Sequence, residues 1–371
     1  MESIDISQWR EIFDHGSYFL SSDGVSDTLD LSLVNQLPCQ IDYFFIRTSG
    51  SSGRPKWVVH PKKNILRHAC LVNTHLGIKG DDVFGLMLPA YHVGGLGVVA
   101  RAIEAEADLV TYDGKWSAFA GVDFLINHMV SVVSLVPTQL MDLIRESIQC
   151  PVSLRIVIIG GGRLDPMLRE KAFQLGWPVY ESYGMTETGS QIANGDFDDG
   201  FLRLIDGWQV KVGNGGALMV KGECVMQGYI TEENGVYSYS DPRENGWFQT
   251  CDRVEILDSE QGIGLKFIGR SDQQVKILGE LVDVLMLENQ LASYVNSDVY
   301  LIVINDGRRG AKLFPVTTER ETAKMIDNAD WRGLEKLEKA LVINELPFNE
   351  MGKLQRSKLT EEVESIVFLA D

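Results

Sequence analysis

Between residues 64 and 181 the chain alternates apolar, strand-like runs with segments of helical spacing, and no other feature limits its fold as much. Asn64 to Leu76 has helical spacing, and Val83 to Leu88 reads as a buried strand ending at Pro89. Tyr91-His92-Val93-Gly94-Gly95-Leu96-Gly97 then opens a glycine-started helix that runs to Arg101. Val130 to Val136 is strand-like, Thr138 to Ser147 helical, and Leu154 to Ile159 an apolar run stopped by Gly160-Gly161-Gly162. A helix over Pro166 to Leu175 and a short strand at Pro178 to Glu181 follow. Strands alternating with helices predict a parallel sheet with helices on its faces, and such sheets bind ligands outside the C-terminal ends of their strands.

From about Phe201 the pattern changes to short alternating strands with turn glycines, such as Trp208 to Val212, Ala217 to Lys221 and Arg253 to Leu257, which predicts an antiparallel or barrel-like subdomain. Beyond Gly269-Arg270-Ser271-Asp272 lie a helix from about Val284 to Tyr294, a strand over Val299 to Ile304 and a helix near Thr318 to Met325. Thr318 with Glu321 would form a capping box for that last helix. Before the alternating region, Trp9, Ile12 and Phe13 fall on one face of a short helix. With 371 residues the chain exceeds one ordinary core. The fold class is therefore α/β: a large N-terminal domain, residues 1–271, of parallel-rich sheets with helices plus the barrel-like part, and a small α+β domain, residues 272–371.

A formal net charge of −18 argues against a nucleic-acid or anionic-membrane surface, since either wants clustered Lys and Arg. The five cysteines, Cys39, Cys70, Cys150, Cys224 and Cys251, are odd in number, widely spread and without a CxxC pair. They read as reduced thiols of a cytoplasmic protein. Glu2 and Asp5 stand where a signal peptide would be basic and then apolar, and no run approaches the ~18 apolar residues of a membrane span. A homodimer is compatible with all of this.

The apolar run Ile41 to Ile46 leads into Arg47-Thr48-Ser49-Gly50-Ser51-Ser52-Gly53-Arg54-Pro55-Lys56. Glycines let backbone N–H groups approach an anion, the hydroxyls add neutral donors, and Lys56 adds positive charge, so the loop suits a polyphosphate. The Walker A spacing fails, because two residues separate Gly53 from Lys56 and Trp57 follows the lysine. Taken alone, the stretch is equally a Gly/Ser surface loop.

Six segments in order decide between these readings. They are Thr48 to Lys56, Gly160 to Gly162, Ser182-Tyr183-Gly184-Met185-Thr186-Glu187-Thr188, Gly246-Trp247-Phe248-Gln249-Thr250-Cys251-Asp252, Gly269-Arg270-Ser271-Asp272-Gln273-Gln274-Val275-Lys276, and Asn349-Glu350-Met351-Gly352-Lys353-Leu354-Gln355-Arg356. Together they resemble the adenylate-forming superfamily of acyl-CoA synthetases, amino-acid-activating domains and luciferases. The resemblance implies ATP, Mg²⁺ and coenzyme A as cofactors, and a reaction that joins a carboxylate to the α-phosphate of ATP and then passes the acyl group to a thiol. It implies that Thr48, Ser49, Gly50, Ser51, Ser52, Gly53 and Lys56 hold the β- and γ-phosphates. Gly160, Gly161, Gly162, Tyr183 and Gly184 would line the nucleotide, with Tyr183 stacked on adenine. Thr186 would contact the α-phosphate and Glu187 would hold Mg²⁺. Asp252 and Arg270 would bind the ribose, Lys353 would catalyse adenylation, Asp272 would be the hinge of a rotating small domain, and Gly279 would approach coenzyme A. Three departures stand out: the phosphate loop begins unusually near the N-terminus, so an N-terminal subdomain is expected to be short. Cys251 and Trp57 replace glycines usual in the family.

The acid follows from the loop at Tyr91-His92, which lacks the aspartate that amino-acid-activating relatives present to a substrate ammonium. The run from His92 to Arg101, with Ser182 to Gln191, looks most like the o-succinylbenzoate–CoA ligases of menaquinone biosynthesis. That resemblance implies a small-molecule acid with a second carboxylate, contacted by His92 and Arg101, a guanidinium being a natural partner for a carboxylate. Another aryl- or fatty-acyl-CoA ligase is the alternative enzyme, and a degenerate nucleotide-binding module the alternative that is not an enzyme.

Overall fold

Five apolar runs pair in parallel, in the order Asp108–Thr111, Val83–Leu86, Val132–Leu135, Ile156–Ile159 and Val179–Met185. The computed structural model in which they are seen describes residues 4–22, 24–26, 37, 41–48, 56–162, 164–195, 200–233, 236–260, 262–271, 274–278, 280–329, 337–349 and 354–368. Every residue of Val132–Leu135 and Ile156–Ile159 is buried, as it is for strands covered on both faces. Alternate residues serve opposite layers: Val132, Ile156 and Ile158 join one core with Phe84, Leu96 and Val99, while Val133, Val157 and Ile159 join another with Leu125, Leu140 and Trp177. Each such buried aliphatic side chain contributes about 1.5–3 kcal/mol.

The helices that make those layers are Lys62–Leu76, Val93–Glu104, Ala118–Asn127, Pro137–Arg145 and Pro166–Gln174. Their ends follow local chemistry. Asp165 accepts from the Met167 and Leu168 amides ahead of Pro166, and Gly77 closes Lys62–Leu76 in the left-handed region at φ 60°. The N-terminal helix Ile6–Asp14 starts on Asp5 and buries Trp9 and Phe13 in the first of the two cores.

A second, six-stranded sheet runs Val236–Ser240, Gly228–Glu233, Lys56–Pro61, Tyr43–Thr48, Tyr18–Ser21, Gly24–Ser26. Its central pair places Thr48 opposite Lys56, so the Gly/Ser stretch joins two antiparallel strands. Beyond Val179–Met185 the first sheet turns antiparallel through Ser190–Gly195 and Leu202–Leu204, the latter pairing with Gly262–Arg270. The strands expected to be barrel-like therefore lie in open sheets among the described residues, each finding its neighbours without closure.

The chain separates into two compact units: Met1–Lys211 with Met219–Gln249 and Ile256–Lys266, and Val212–Leu218 with Thr250–Glu255 and Phe267–Asp371. In the second unit the hairpin of Gln274–Ile277 and Glu280–Asp283 precedes helix Val284–Val295, and Tyr300–Asp306 and Gly310–Thr317 pair antiparallel. Helices Arg320–Asn328 and Arg356–Phe368 complete it. The capping box expected from Thr318 and Glu321 does not form. The N-cap is Glu319, without a side-chain cap, because the Glu319 amide is taken by Thr317 Oγ1 at 3.2 Å and the helix starts beyond it. The expected boundary residue, Asp272, lies outside the described residues.

Candidate functional site

Three backbone features of the first unit meet around Glu187. Strand Val179–Met185 leaves the parallel sheet at its C-terminal end and breaks into the short turn Thr186–Thr188, closed by Gly189 at φ 74°. Thr188 Oγ1 donates to the Ser190 carbonyl at 2.6 Å and accepts from the Met185 amide at 3.1 Å, which stitches the turn shut. Strand Lys56–Pro61 brings the Lys56 ammonium 3.2 Å from Glu187 Oε1. Strand Gly228–Glu233 brings Tyr229, whose hydroxyl donates to the same oxygen at 2.8 Å and whose ring lies 3.7 Å beneath the Lys56 nitrogen. The lysine that ends the Gly/Ser stretch and the carboxylate expected to hold a metal are thus neighbours, although 131 positions separate them in sequence.

Behind this cluster His60 is fully buried, and its Nε2 lies 2.6 Å from the Thr186 carbonyl. Burial lowers its pKa to about 4, so the ring is neutral and donates to that carbonyl. His68, on the adjoining helix, makes the same contact to the Gln191 carbonyl at 2.7 Å and is likewise lowered to about 4 by burial.

The glycines have steric causes. A Cβ on Gly184 would lie 2.1 Å from the Ser190 carbonyl oxygen of the paired strand, and one on Gly160 would lie 2.8 Å from Ser182 Oγ. Gly161 takes φ 81°, which a side chain resists. Gly160 and Gly161 follow strand Ile156–Ile159, whose Ile159 is in register with Glu181, so the glycine turn and Tyr183 leave adjacent strand ends. Tyr183 itself is half-buried.

Arg101 lies on helix Val93–Glu104, and it is 1% exposed. Its side chain runs back along the helix, as helical side chains do, over Gly97, where a Cβ would come within 3.5 Å of Nη1 and 3.2 Å of Ser190 Oγ. Nη2 donates to Ser134 Oγ at 3.1 Å. Nε and Nη1 have no partner, and among the described residues no carboxylate pairs with the guanidinium. Burial lowers its pKa to about 10, which leaves it charged at neutral pH. A buried cation without a counter-ion is a costly arrangement and a ready receptor for a carboxylate. His92 is the N-cap of the same helix, half-buried, with its ring 4.7 Å from that of Tyr91. It stands nine positions, or about 14 Å of helix rise, before the Arg101 backbone.

In the second unit Arg270 Nη1 donates to Asp252 Oδ1 at 3.0 Å, and Asp252 is 6% exposed. Thr250 Oγ1 accepts from the Asp252 amide at 3.0 Å and donates to the Leu218 carbonyl at 3.0 Å, fixing the strand that carries the aspartate. Ser49, Gly50, Ser51, Ser52, Gly53, Asp272, Gly279 and Lys353 lie outside the described residues. Tyr229, His60 and Ser134 belong to none of the sequence motifs, and Gly97 is marked in the sequence only as part of a glycine-started helix. For His60 there was a signal: it stands four residues after Lys56, and on a strand that spacing puts both on one face.

Comparison with known proteins fits this geometry. The profile of the family described as AMP-binding enzyme matches residues 35–230. The 2-succinylbenzoate–CoA ligase of Staphylococcus epidermidis (strain ATCC 12228 / FDA PCI 1200) is 30% identical over 333 residues, which are 85% of this chain and 69% of that one. The ligase of the same name from Bacillus pumilus (strain SAFR-032) is 30% identical over 228 residues, 57% of this chain, and there the match spans only about half of the relative, 46%. Among solved structures, o-succinylbenzoate CoA synthetase from Bacillus subtilis in complex with the acyl-adenylate intermediate is similar with a TM-score of 0.72 at 26% identity, covering 85% of this chain and 68% of that one. The matched profile takes in the hairpin with Lys56, the Arg101 helix and the Thr186–Glu187 turn alike, and on that ground the chain belongs to the AMP-binding enzyme family.

Proposed function

We propose that this chain is an ATP-dependent acid–CoA ligase working through an acyl-adenylate, with o-succinylbenzoate as its acid. The observation that carries the choice of acid is the buried Arg101 guanidinium with Nε and Nη1 unpartnered. A carboxylate remote from the reacting one would supply the missing charge.

In the first step a carboxylate oxygen attacks the α-phosphorus and the bond to pyrophosphate breaks. In the second the coenzyme A sulfur attacks the acyl carbonyl and the bond to AMP breaks. Two anions meet in the first step, so charge neutralisation and positioning supply most of the catalysis. Lys56, with the loop from Thr48, neutralises the β- and γ-phosphates, Thr186 donates to the α-phosphate, and Tyr183 with Gly160 to Gly162 and Gly184 receives the base. Asp252 accepts from the ribose hydroxyls, held in orientation by Arg270. Lys353 reaches the reacting carboxylate and α-phosphate. Residues 272–371 act as a small mobile domain hinged at Asp272, which brings Gly279 to coenzyme A for the second step, and the reaction runs in the cytoplasm.

Glu187 fits a magnesium ion. Its side chain is 15% exposed and both protein contacts fall on Oε1, which leaves Oε2 for a hard cation. One carboxylate, phosphates and water would make up the oxygen ligands that such a hard cation takes. Bound there, Mg²⁺ would neutralise phosphate charge.

Pyrophosphate release with ATP and a panel of acids tests the proposal. Release with o-succinylbenzoate well above that with benzoate, a long-chain fatty acid or an amino acid is expected. Preference for the fatty acid would overturn the acid assignment, and no release with any acid would overturn the activity.

A further inference from the structure

We infer that His60 is a positioning residue for nucleotide and metal binding: its imidazole pins the turn that carries Thr186 and Glu187 to the strand that carries Lys56. The inference rests on the functional reading above, in which that turn faces the α-phosphate and the metal.

Lys56, Val58 and His60 share one face of strand Lys56–Pro61. At one end of that face Lys56 meets the Glu187 carboxylate at 3.2 Å, and at the other His60 Nε2 meets the Thr186 carbonyl at 2.6 Å. The turn's carbonyls also meet main-chain donors: the Gly189 amide reaches the Thr186 carbonyl at 3.1 Å, and the Met226 amide reaches the Glu187 carbonyl at 2.8 Å. His60 is thus a side-chain tie between the turn's backbone and the phosphate-loop strand. It is fully buried and its Nδ1 has no partner, so it keeps an unpaired polar atom in the interior for the sake of the single bond made by Nε2. An apolar residue of similar size would avoid that cost and lose only the tie. Without it the Thr186 carbonyl keeps, among the described residues, only the Gly189 amide from inside the same turn, and the turn's position relative to the strand rests on the contacts of Glu187 with Lys56 and Met226.

Three variants test this, with calorimetric binding of a non-hydrolysable ATP analogue with Mg²⁺ as the primary readout and the Mg²⁺ concentration for half-maximal pyrophosphate release as the second. His60→Leu removes the donor; it is expected to weaken analogue binding about tenfold, the worth of one buried hydrogen bond, and to raise the Mg²⁺ requirement while leaving KM for the acid unchanged. His60→Gln, whose amide nitrogen reaches where Nε2 stands, is expected to stay within about threefold of the parent in both readouts. If His60→Leu does not fold, His60→Asn replaces it, since its shorter amide stands nearer Nδ1 and misses the carbonyl. Equal affinity of the glutamine variant and the leucine or asparagine variant, at any level, would overturn the inference. A parent that binds the analogue but releases no pyrophosphate would overturn the functional reading, and the binding comparison would still judge His60.

Discussion

Replacing Arg101 by methionine should move stability and acid recognition in opposite directions. Burial lowers the guanidinium pKa from 12.5 to about 10, which corresponds to about 3 kcal/mol against the charged form in the folded protein. The Ser134 contact at 3.1 Å offsets part of this, and Nε and Nη1 offset none. Methionine fills much of the same volume without charge, so Arg101→Met is expected to raise the melting temperature by a few degrees, about 1–3 kcal/mol of added stability. In turnover the same change removes two donors for the remote carboxylate of the acid. At about 1.5 kcal/mol or more for each charge-assisted bond, kcat/KM for o-succinylbenzoate should fall about a hundredfold or more, and KM for ATP should stay put. Arg101→Lys should recover only part, because a point charge cannot reproduce the planar fork. Benzoate, which lacks the second carboxylate, should be affected little. Thermal melts and steady-state pyrophosphate release measure both arms. A lowered melting temperature together with unaltered KM for o-succinylbenzoate would refute the reasoning and make Arg101 an ordinary structural residue.

Lys353→Ala is expected to abolish acyl-adenylate formation, by a hundredfold or more for about 3 kcal/mol of lost charge stabilisation, while thioester formation from supplied acyl-adenylate survives; equal loss of both half-reactions would remove the lysine from its role. Asp272→Pro fixes φ at the proposed hinge, so one half-reaction should be trapped relative to the other, and normal rates for both would end the hinge proposal. His60 and His68 have folded pKa values of about 4 against an ordinary 6.5, so as pH falls the unfolded chain takes up protons first. Their contribution is whole above about pH 6.5 and is lost progressively between 6.5 and 4, by up to about 3 kcal/mol for each histidine. Melting temperature measured from pH 7.5 to 4 should decline across that window, less steeply in His68→Gln, and a flat profile would contradict the burial argument.

The sequence by itself determined the alternation of strands and helices, the Gly/Ser stretch that follows an apolar strand and the motif that became the Thr186–Glu187 turn. Such features rest on local causes: apolar periodicity, glycines where a Cβ does not fit, and caps such as Asp165, all written within a few residues of where they act. Even locally, competing options decide the outcome: Thr317 takes the Glu319 amide, and the cap expected at Thr318 does not form. What only the tertiary structure decided are the partners. Glu187 meets Lys56 across 131 positions and Tyr229 across 42, and His60 meets Thr186 across 126. The burial of the Arg101 guanidinium, with Nε and Nη1 unpartnered among the described residues, is likewise a property of the packed helix, not of the spacing between His92 and Arg101. The physical reason is that strand order and register, set by the summed burial of whole sheets, choose which distant side chains share a face. No single stretch of chain carries that information.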